Sequence, residues 1–233
     1  MKKGITLRAI ALLLLIILPI LSLPSCSLDD EDAFLAAARD LITRSVELNE
    51  IYFGEGIEYD SELGGIGIYY YATDEYLERV GISTVDDLKE ITREVFSEEY
   101  CRIIFQSAFE GINYNASEDP EGDFSGVQSS DSIVYARYSS DKIASEGGTG
   151  TGRILVNSSY KAYDGMLAYS REYDLDSLEI KKVRSRTVTV TLRVTYTLRD
   201  GYKDFGSLVG THEKEIVFER LDDGGYRINS STY

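Results

Sequence analysis

The sequence is poor in the residues that most often carry metal and nucleophilic chemistry. It contains one histidine, His212, two cysteines, Cys26 and Cys101, and no tryptophan. Zinc sites draw on several histidine or cysteine ligands, and this chain has too few of them. A serine or cysteine nucleophile needs a nearby base, which is usually histidine, but His212 lies in a polar segment typical of a turn or a strand start. We therefore expect no catalytic residue, no metal ligand and no cofactor, while the sequence leaves open whether the protein is an enzyme.

Positive charge is also scarce. The chain has 24 basic and 40 acidic residues, which gives a net charge of −16. Residues 1–25 contain three basic residues and no acidic one, so the charge of the remainder is −19. Nucleic acids are bound through lysine and arginine, so this balance excludes a nucleic-acid partner. It also argues against binding to anionic lipid by surface charge.

Long apolar runs are absent except at the amino terminus. Lys2, Lys3 and Arg8 precede an almost uninterrupted series of leucine and isoleucine over residues 10–21. This run is too short to be a typical spanning helix, and its layout is that of a secretory signal. The following Leu23-Pro24-Ser25-Cys26 resembles a bacterial lipobox, with Pro24 departing from the usual residue at its position.

The lipobox resemblance implies that Cys26 receives a diacylglycerol, with palmitate as the typical acyl group, and becomes the mature amino terminus. Residues 1–25 are then a signal peptide, and residues 26–32 are a tether that reaches only about 20 Å at ~3.3 Å per residue. Two acyl chains give lasting attachment, so we expect the protein on the outer face of a bacterial cell membrane. An ordinary cleaved signal is one alternative, and an uncleaved membrane helix is another. A lipidated Cys26 leaves Cys101 without a disulfide partner, and its apolar surroundings favour a buried thiol.

The remaining chain is expected to form one α+β domain over residues 33–233. Apolar residues recur at a period near 3.6 within residues 33–110, which predicts helices. Asp29 and Asp30 can cap the first helix, Thr73 and Thr84 are expected to cap the next two, and Ser97-Glu98-Glu99 restarts the helical pattern. The short segment Ile68-Tyr69-Tyr70-Tyr71 is either a strand or the lead-in to a helix.

The half of the chain from residue 131 to 233 is predicted to be β. Its clearest strand is 187–198, where valine, leucine and tyrosine alternate with threonine and arginine over six repeats. Further strands are expected at 133–138, 153–156, 166–171 and 178–183. Asp222-Asp223-Gly224-Gly225 is predicted to join a last hairpin of residues 215–221 and 226–230.

Helices followed by antiparallel strands predict helices packed on one face of a curved, mainly antiparallel sheet. The leading helices, the long strands and the closing Asp223-Gly224-Gly225-Tyr226-Arg227-Ile228 resemble the nuclear transport factor two-like, cystatin-like cone. The helical half followed by a sheet also has a weaker similarity to exported inhibitors of cell-wall DL-endopeptidases. Neither resemblance transfers a functional residue to this chain.

Several segments invite a binding-site interpretation. Tyr69, Tyr71 and Tyr135 are candidates for the lining of a pocket, although core packing is the simpler interpretation of each. Asn113-x-Asn115-x-Ser117 and Asp174-x-Asp176-x-x-Glu179 space oxygens like calcium loops, but the first departs from the pattern where glycine and glutamate are needed. The glycines of residues 148–152 precede a strand rather than a helix, which favours a flexible connection over a phosphate loop.

These observations favour a membrane-anchored, non-enzymatic binding or regulatory module at the cell envelope. The expected partners are the membrane, through lipidated Cys26, and an envelope protein or a component of the cell wall. A small-ligand binder or small enzyme that uses a pocket on the concave face of the sheet is one alternative, and an inhibitor of a cell-wall hydrolase is another.

Overall fold

The computed structural model of the chain describes residues 30–110, 112–113, 133–134, 136–144, 150–160, 162, 167–203 and 208–233. The helices are α1 Glu31–Tyr52, α2 Asp74–Val80, α3 Val85–Val95, α4 Glu98–Phe105 and α5 Asp141–Ala144. A π-helical turn, Gln106–Glu110, continues α4. The strands are β1 Gly65–Ile66, β2 Tyr69–Tyr71, β3 Ile112–Asn113, β4 Ile133–Val134, β5 Tyr138–Ser140, β6 Ile154–Asn157, β7 Tyr169–Val183, β8 Thr187–Leu198, β9 Gly210–Arg220 and β10 Tyr226–Ile228.

The architecture is α+β, with helices against antiparallel sheets, as the sequence predicts. Each of the two main sheets has four strands. The larger sheet, which contains the long strands, has the order β10-β9-β8-β7, and the smaller sheet has the order β1-β2-β6-β5. β3 and β4 form a separate two-stranded ribbon. The predicted strand 133–138 is therefore wrong as a single element, because its ends belong to two different sheets.

The helices begin where the sequence predicts, because short polar side chains satisfy the first free backbone N–H groups. Asp30 Oδ1 accepts from the N–H of Ala33 at 2.9 Å and thereby caps α1. Thr84 and Asp87 form a reciprocal capping box at the start of α3. Thr73 and Ser97 cap α2 and α4 with one side-chain hydrogen bond each, accepting from the N–H of Tyr76 and of Tyr100. The boundaries thus follow from local hydrogen bonding.

α1 packs across the larger sheet and forms the centre of the core. Its Phe34 is buried edge-on against Phe218 of β9, with ring centroids 5.5 Å apart, and against Tyr226 of β10 at 4.8 Å. On β8 the buried residues are Val188, Val190, Leu192 and Val194, which alternate with threonines as the period of two predicts.

The edge strand β7 is longer than the sequence predicts. Two separate strands, 166–171 and 178–183, were expected, but one strand runs from Tyr169 to Val183. Its pairing with β8 shifts register between Asp174 and Glu179 and again between Ile180 and Lys182. Such bulges bend a strand and increase its twist, so the pairing continues past a sequence that looks like a break.

The smaller sheet joins distant parts of the chain. Tyr69-Tyr70-Tyr71 is a strand, and it pairs antiparallel with β6. Arg137, just before β5, is buried, and its guanidinium donates to the carbonyls of Tyr52 at 2.9 Å and Gly54 at 2.7 Å. This cation therefore satisfies backbone groups at the carboxyl end of α1, where the helix dipole favours positive charge.

The carboxyl-terminal segment closes the core on the other side of α1. Thr232 is fully buried, and its Oγ1 accepts from Asn49 Nδ2 at 2.8 Å and lies 2.9 Å from Ser45 Oγ. The hydroxyl of Tyr173 on β7 donates to the carbonyl of Thr232. One buried threonine thus connects α1 to β7.

Candidate functional site

A groove opens between the first half of α1 and the turn that joins β9 to β10. Its volume is about 760 Å³, which lies within the range of small-molecule sites. The apolar lining consists of Ala33, Phe34, Ala37, Leu41 and Tyr226. Gly224 and Gly225 of the turn also line the groove, and because they carry no side chain they leave it open on that side.

Charged side chains of both signs surround this apolar lining. α1 contributes Asp30, Asp40 and Arg44, α3 contributes Glu94, and the hairpin of β9 and β10 contributes Arg220 and Arg227. Arg44 is paired with Glu94 across the groove and lies 4.0 Å from Asp40. The Arg227 guanidinium is held by two carbonyls, with Nε donating to Arg93 at 2.8 Å and Nη1 to Tyr226 at 2.9 Å.

The tyrosines predicted to line a pocket lie elsewhere. Tyr69 donates its hydroxyl to the carbonyl of Ala136 at 2.9 Å, and the Tyr71 ring lies 4.7 Å from the guanidinium of Arg153. Neither residue lines the α1 groove. Tyr135 and Cys26 lie outside the described residues.

A second cavity beside the carboxyl end of α1 is much smaller. It has a volume of about 30 Å³ and is lined by residues that include Asn49, Tyr173 and Tyr233. This is the share of liquid volume that one water molecule occupies, so the space is too small for an organic ligand. Asn49 Oδ1 is buried beside it and accepts no hydrogen bond within the described part of the chain. A water molecule is the natural donor for this oxygen.

A surface patch of apolar side chains lies beside the carboxyl end of α1. We define the hairpin patch as Tyr59, Leu63 and Tyr70. Leu63 is 50% exposed and Tyr59 is 41% exposed, and the Tyr59 ring stacks on Tyr70 with centroids 5.8 Å apart. Ile66 is also exposed, but it pairs with Tyr69, so it lies on the face of the β1–β2 hairpin opposite to Tyr70 and outside the patch. No comparable patch was expected from the sequence.

The calcium-like and phosphate-like segments have structural explanations where they are described. The Asp174 carboxylate accepts from the Arg193 guanidinium at 2.6 Å on the bulged strand β7. The backbone N–H groups of Thr151 and Gly152 donate to the buried carboxylate of Asp141, which would repel a phosphate. Asn115 and Ser117 of the other loop lie outside the described residues. Within the described ranges, no group of three or more histidine, cysteine, aspartate or glutamate side chains is placed to hold a metal ion.

The candidate nucleophile and base are separated by their surroundings. Cys101 is buried in α4, with Sγ near the carbonyls of Thr92 and Phe96. Burial raises the pKa of this thiol to about 11, so it is protonated at neutral pH. His212 is exposed near the start of β9, and its Nε2 lies 2.9 Å from the carbonyl oxygen of Leu208. Cys101 and His212 therefore share no hydrogen-bond partner in these contacts.

The arginines of the groove were missed because nothing in their local sequence marks them. Arg220 and Arg227 lie on opposite sides of a turn that the sequence predicts, but the helix they face begins almost two hundred residues earlier. Only the packing of α1 on the hairpin reveals that they share a groove with Asp30 and Asp40.

Within the described residues, no helix is both long enough and apolar enough to span a membrane. Comparison with known proteins finds no matching family model, no matching curated protein and no matching solved structure. The resemblances to bacterial lipoproteins, to the cystatin-like cone and to the endopeptidase inhibitors therefore stay predictions from the sequence.

Proposed function

We propose that the protein is a lipid-anchored, non-enzymatic binding module of the bacterial cell envelope, and that the hairpin patch receives its protein partner. The proposal is carried by the exposure of this patch at the end of α1 that lies away from Cys26. Cys26 is four residues before Asp30, which caps α1. The opposite end of the helix is about 33 Å away, at 1.5 Å for each of its 22 residues.

The hairpin patch is tied to that distal end of α1 by a buried tyrosine. The hydroxyl of Tyr138 donates to the carbonyl of Ile51 and accepts from the N–H of Ile57 at 3.2 Å. Tyr59 follows two residues later and pairs with Ala72. A domain tethered at Cys26 thus carries this patch at the far end of its longest helix.

The expected partner is a protein surface with an apolar centre and basic groups around it. Leu63 and Tyr59 supply the apolar area, and exposed patches of this kind mark interaction sites. Glu58 and Glu62 lie in the same segment and are both exposed, and Glu58 has only a long contact of 3.9 Å to Arg79. Opposite charge on the partner would complement these carboxylates.

The anchor and the patch are tested separately. Metabolic labelling with an alkyne analogue of palmitate should label the wild-type chain and leave Cys26→Ser unlabelled. Labelling of both chains or of neither would refute the lipid anchor.

A photocrosslinking residue placed at Leu63 in cells should give one discrete protein adduct. The matched control is the same residue at Ile103 of α4, which is 55% exposed and lies outside the patch. The adduct should be lost in Tyr59→Ser, because tyrosine is enriched among the interface residues whose truncation costs the most binding energy. Equal adducts from both positions, adducts to glycan or to a second copy, or no adduct at all would refute the proposed partner.

A further inference from the structure

The α1 groove has a feature that the proposed function does not use, which is the separation of charge across it. The wall formed by α1 carries the carboxylates of Asp30 and Asp40, while the facing wall, formed by the β9–β10 hairpin, carries Arg220 and Arg227. Arg44 and Glu94 neutralise each other between them. An apolar lining lies between an anionic wall and a cationic wall.

Arg220 and Arg227 of the β9–β10 hairpin lack acidic partners in the part of the chain that the structure describes. Arg227 donates to backbone carbonyls, which fix its guanidinium without neutralising it. The guanidinium of Arg220 forms no ion pair or hydrogen bond with any described residue. In a chain with a net charge of −16, acidic groups are plentiful, so two arginines of the groove lining that have no acidic partner among the described residues are available to an anionic ligand group.

The position of the groove limits what can reach it. Asp30 lines the groove and lies four residues after Cys26, so at most about 14 Å of extended chain separates them. If Cys26 carries the lipid anchor of the proposed function, this groove lies at the level of the phospholipid headgroups. The ligands available there in quantity are amphiphiles with a charged head and an apolar body.

We propose that the α1 groove binds the zwitterionic headgroup of a membrane phospholipid. The phosphate lies against Arg220 and Arg227, the ammonium group lies against Asp30 and Asp40, and the first carbons of an acyl chain lie over Ala37 and Tyr226. A purely anionic lipid fits less well, because it offers no cation to the carboxylates of α1 and is repelled by the acidic domain. The position of the site rests on the proposed lipid anchor, whereas its chemistry rests on the groove alone.

The test uses short-chain lipids that are monomeric in water, so that membrane attachment does not enter the measurement. The protein is the exported chain carrying Cys26→Ser, and the ligands are dihexanoyl phosphatidylethanolamine and dihexanoyl phosphatidylglycerol. Titration calorimetry should show the ethanolamine lipid binding at least tenfold more tightly than the glycerol lipid. Glycerophosphoethanolamine, which has the same head but no acyl chain, should bind more weakly than the ethanolamine lipid because it cannot use the apolar lining.

Variants assign the two charges to the two walls. Arg220→Gln should weaken binding of both lipids at least tenfold, whereas Asp40→Asn should weaken only the ethanolamine lipid. The matched control is Arg186→Gln, an exposed arginine on the turn between β7 and β8, which should leave both affinities unchanged. Ala37→Phe fills the groove without altering charge and should abolish binding, and thermal unfolding of each variant verifies that it is folded.

Equal affinity for the two lipids, binding that survives Ala37→Phe, or no saturable binding at millimolar concentration would each overturn the proposal. Glycerophosphoethanolamine binding as tightly as the lipid would point to a soluble zwitterion and would likewise overturn it. None of these measurements depends on acylation of Cys26, so failure of the lipid site and failure of the lipid anchor are distinguishable.

Discussion

Replacing Arg137 with methionine tests whether a buried cation stabilises this fold. The side chain is 3% exposed and donates to the carbonyls of Tyr52 and Gly54 at the end of α1. Its guanidinium also lies 4.8 Å from the ring centroid of Tyr160 and 5.6 Å from that of Tyr138. No carboxylate among the described residues pairs with it, so its charge is balanced by backbone dipoles and aromatic faces.

Two opposing effects set the size of the change. Burying a charge costs several kcal/mol, and an apolar side chain of similar volume removes that cost. The same substitution leaves two buried carbonyls without donors, at about 1–3 kcal/mol each, and removes two charge-assisted hydrogen bonds. Because no other described group donates to these two carbonyls, we expect the second effect to dominate by about 3 kcal/mol. This corresponds to a fall in Tm of about 6–12 °C for a domain of this size.

The assay is urea unfolding of residues 26–233 carrying Cys26→Ser, followed by circular dichroism. Arg137→Lys keeps the charge but cannot donate to both carbonyls with the fixed fork of a guanidinium, so it should show an intermediate loss. Arg186→Met, at an exposed side chain 4.0 Å from Asp222, should change the free energy of unfolding by less than about 0.5 kcal/mol. An Arg137→Met protein as stable as the wild type or more so would refute the reasoning, because desolvation of the cation would then outweigh its hydrogen bonds.

Three further predictions concern stability. Thr232→Val should lower the free energy of unfolding by about 2 kcal/mol in urea titrations, because it leaves the buried amide of Asn49 without its acceptor. Thr84→Ala should cost about 1 kcal/mol and reduce amide-exchange protection in the first turn of α3, because it breaks the capping box. Burial raises the pKa of Tyr173 from 10.0 to about 12, so the folded state holds this proton more tightly than the unfolded state. The resulting stability is complete below pH 10 and is lost as the pH rises to 12, by about 2–3 kcal/mol, and Tyr173→Phe should flatten this part of the unfolding curve against pH.

The elements that could be predicted are those whose signal is local. The helix starts at Asp30, Thr73, Thr84 and Ser97 follow from a side-chain oxygen meeting an N–H three residues away. The strand 187–198 follows from strict alternation, which buries one face and exposes the other. Such interactions need only the neighbouring residues, so the sequence pattern is sufficient for them.

The elements that were mispredicted depend on distant pairing. The bulged strand β7 continues through Asp174–Glu179 because β8 supplies a long, regular partner beside it. The segment 133–138 divides between two sheets because β3 pairs with its beginning and β6 pairs with its end. No local pattern at these residues records which strand lies next to them.

The candidate sites divide in the same way. Cys26 could be singled out as a predicted lipid-attachment residue because a lipobox is a short linear motif, whereas the α1 groove could not be anticipated. Its arginines and carboxylates are unremarkable in an acidic chain until α1 crosses the β9–β10 hairpin and places them on facing walls. The hairpin patch likewise needs the stacking of Tyr59 on Tyr70 before it becomes a surface.

The order of residues alone decided the charge of this protein, its helix caps and the alternating faces of its strands, because each of these depends on composition or on residues a few positions apart. The tertiary structure decided the order of the strands, the burial of Arg137 and the meeting of opposite charges in the α1 groove. Those features arise when the whole core is packed at once, since burying the apolar faces of α1 and β8 determines which polar groups are left to face each other.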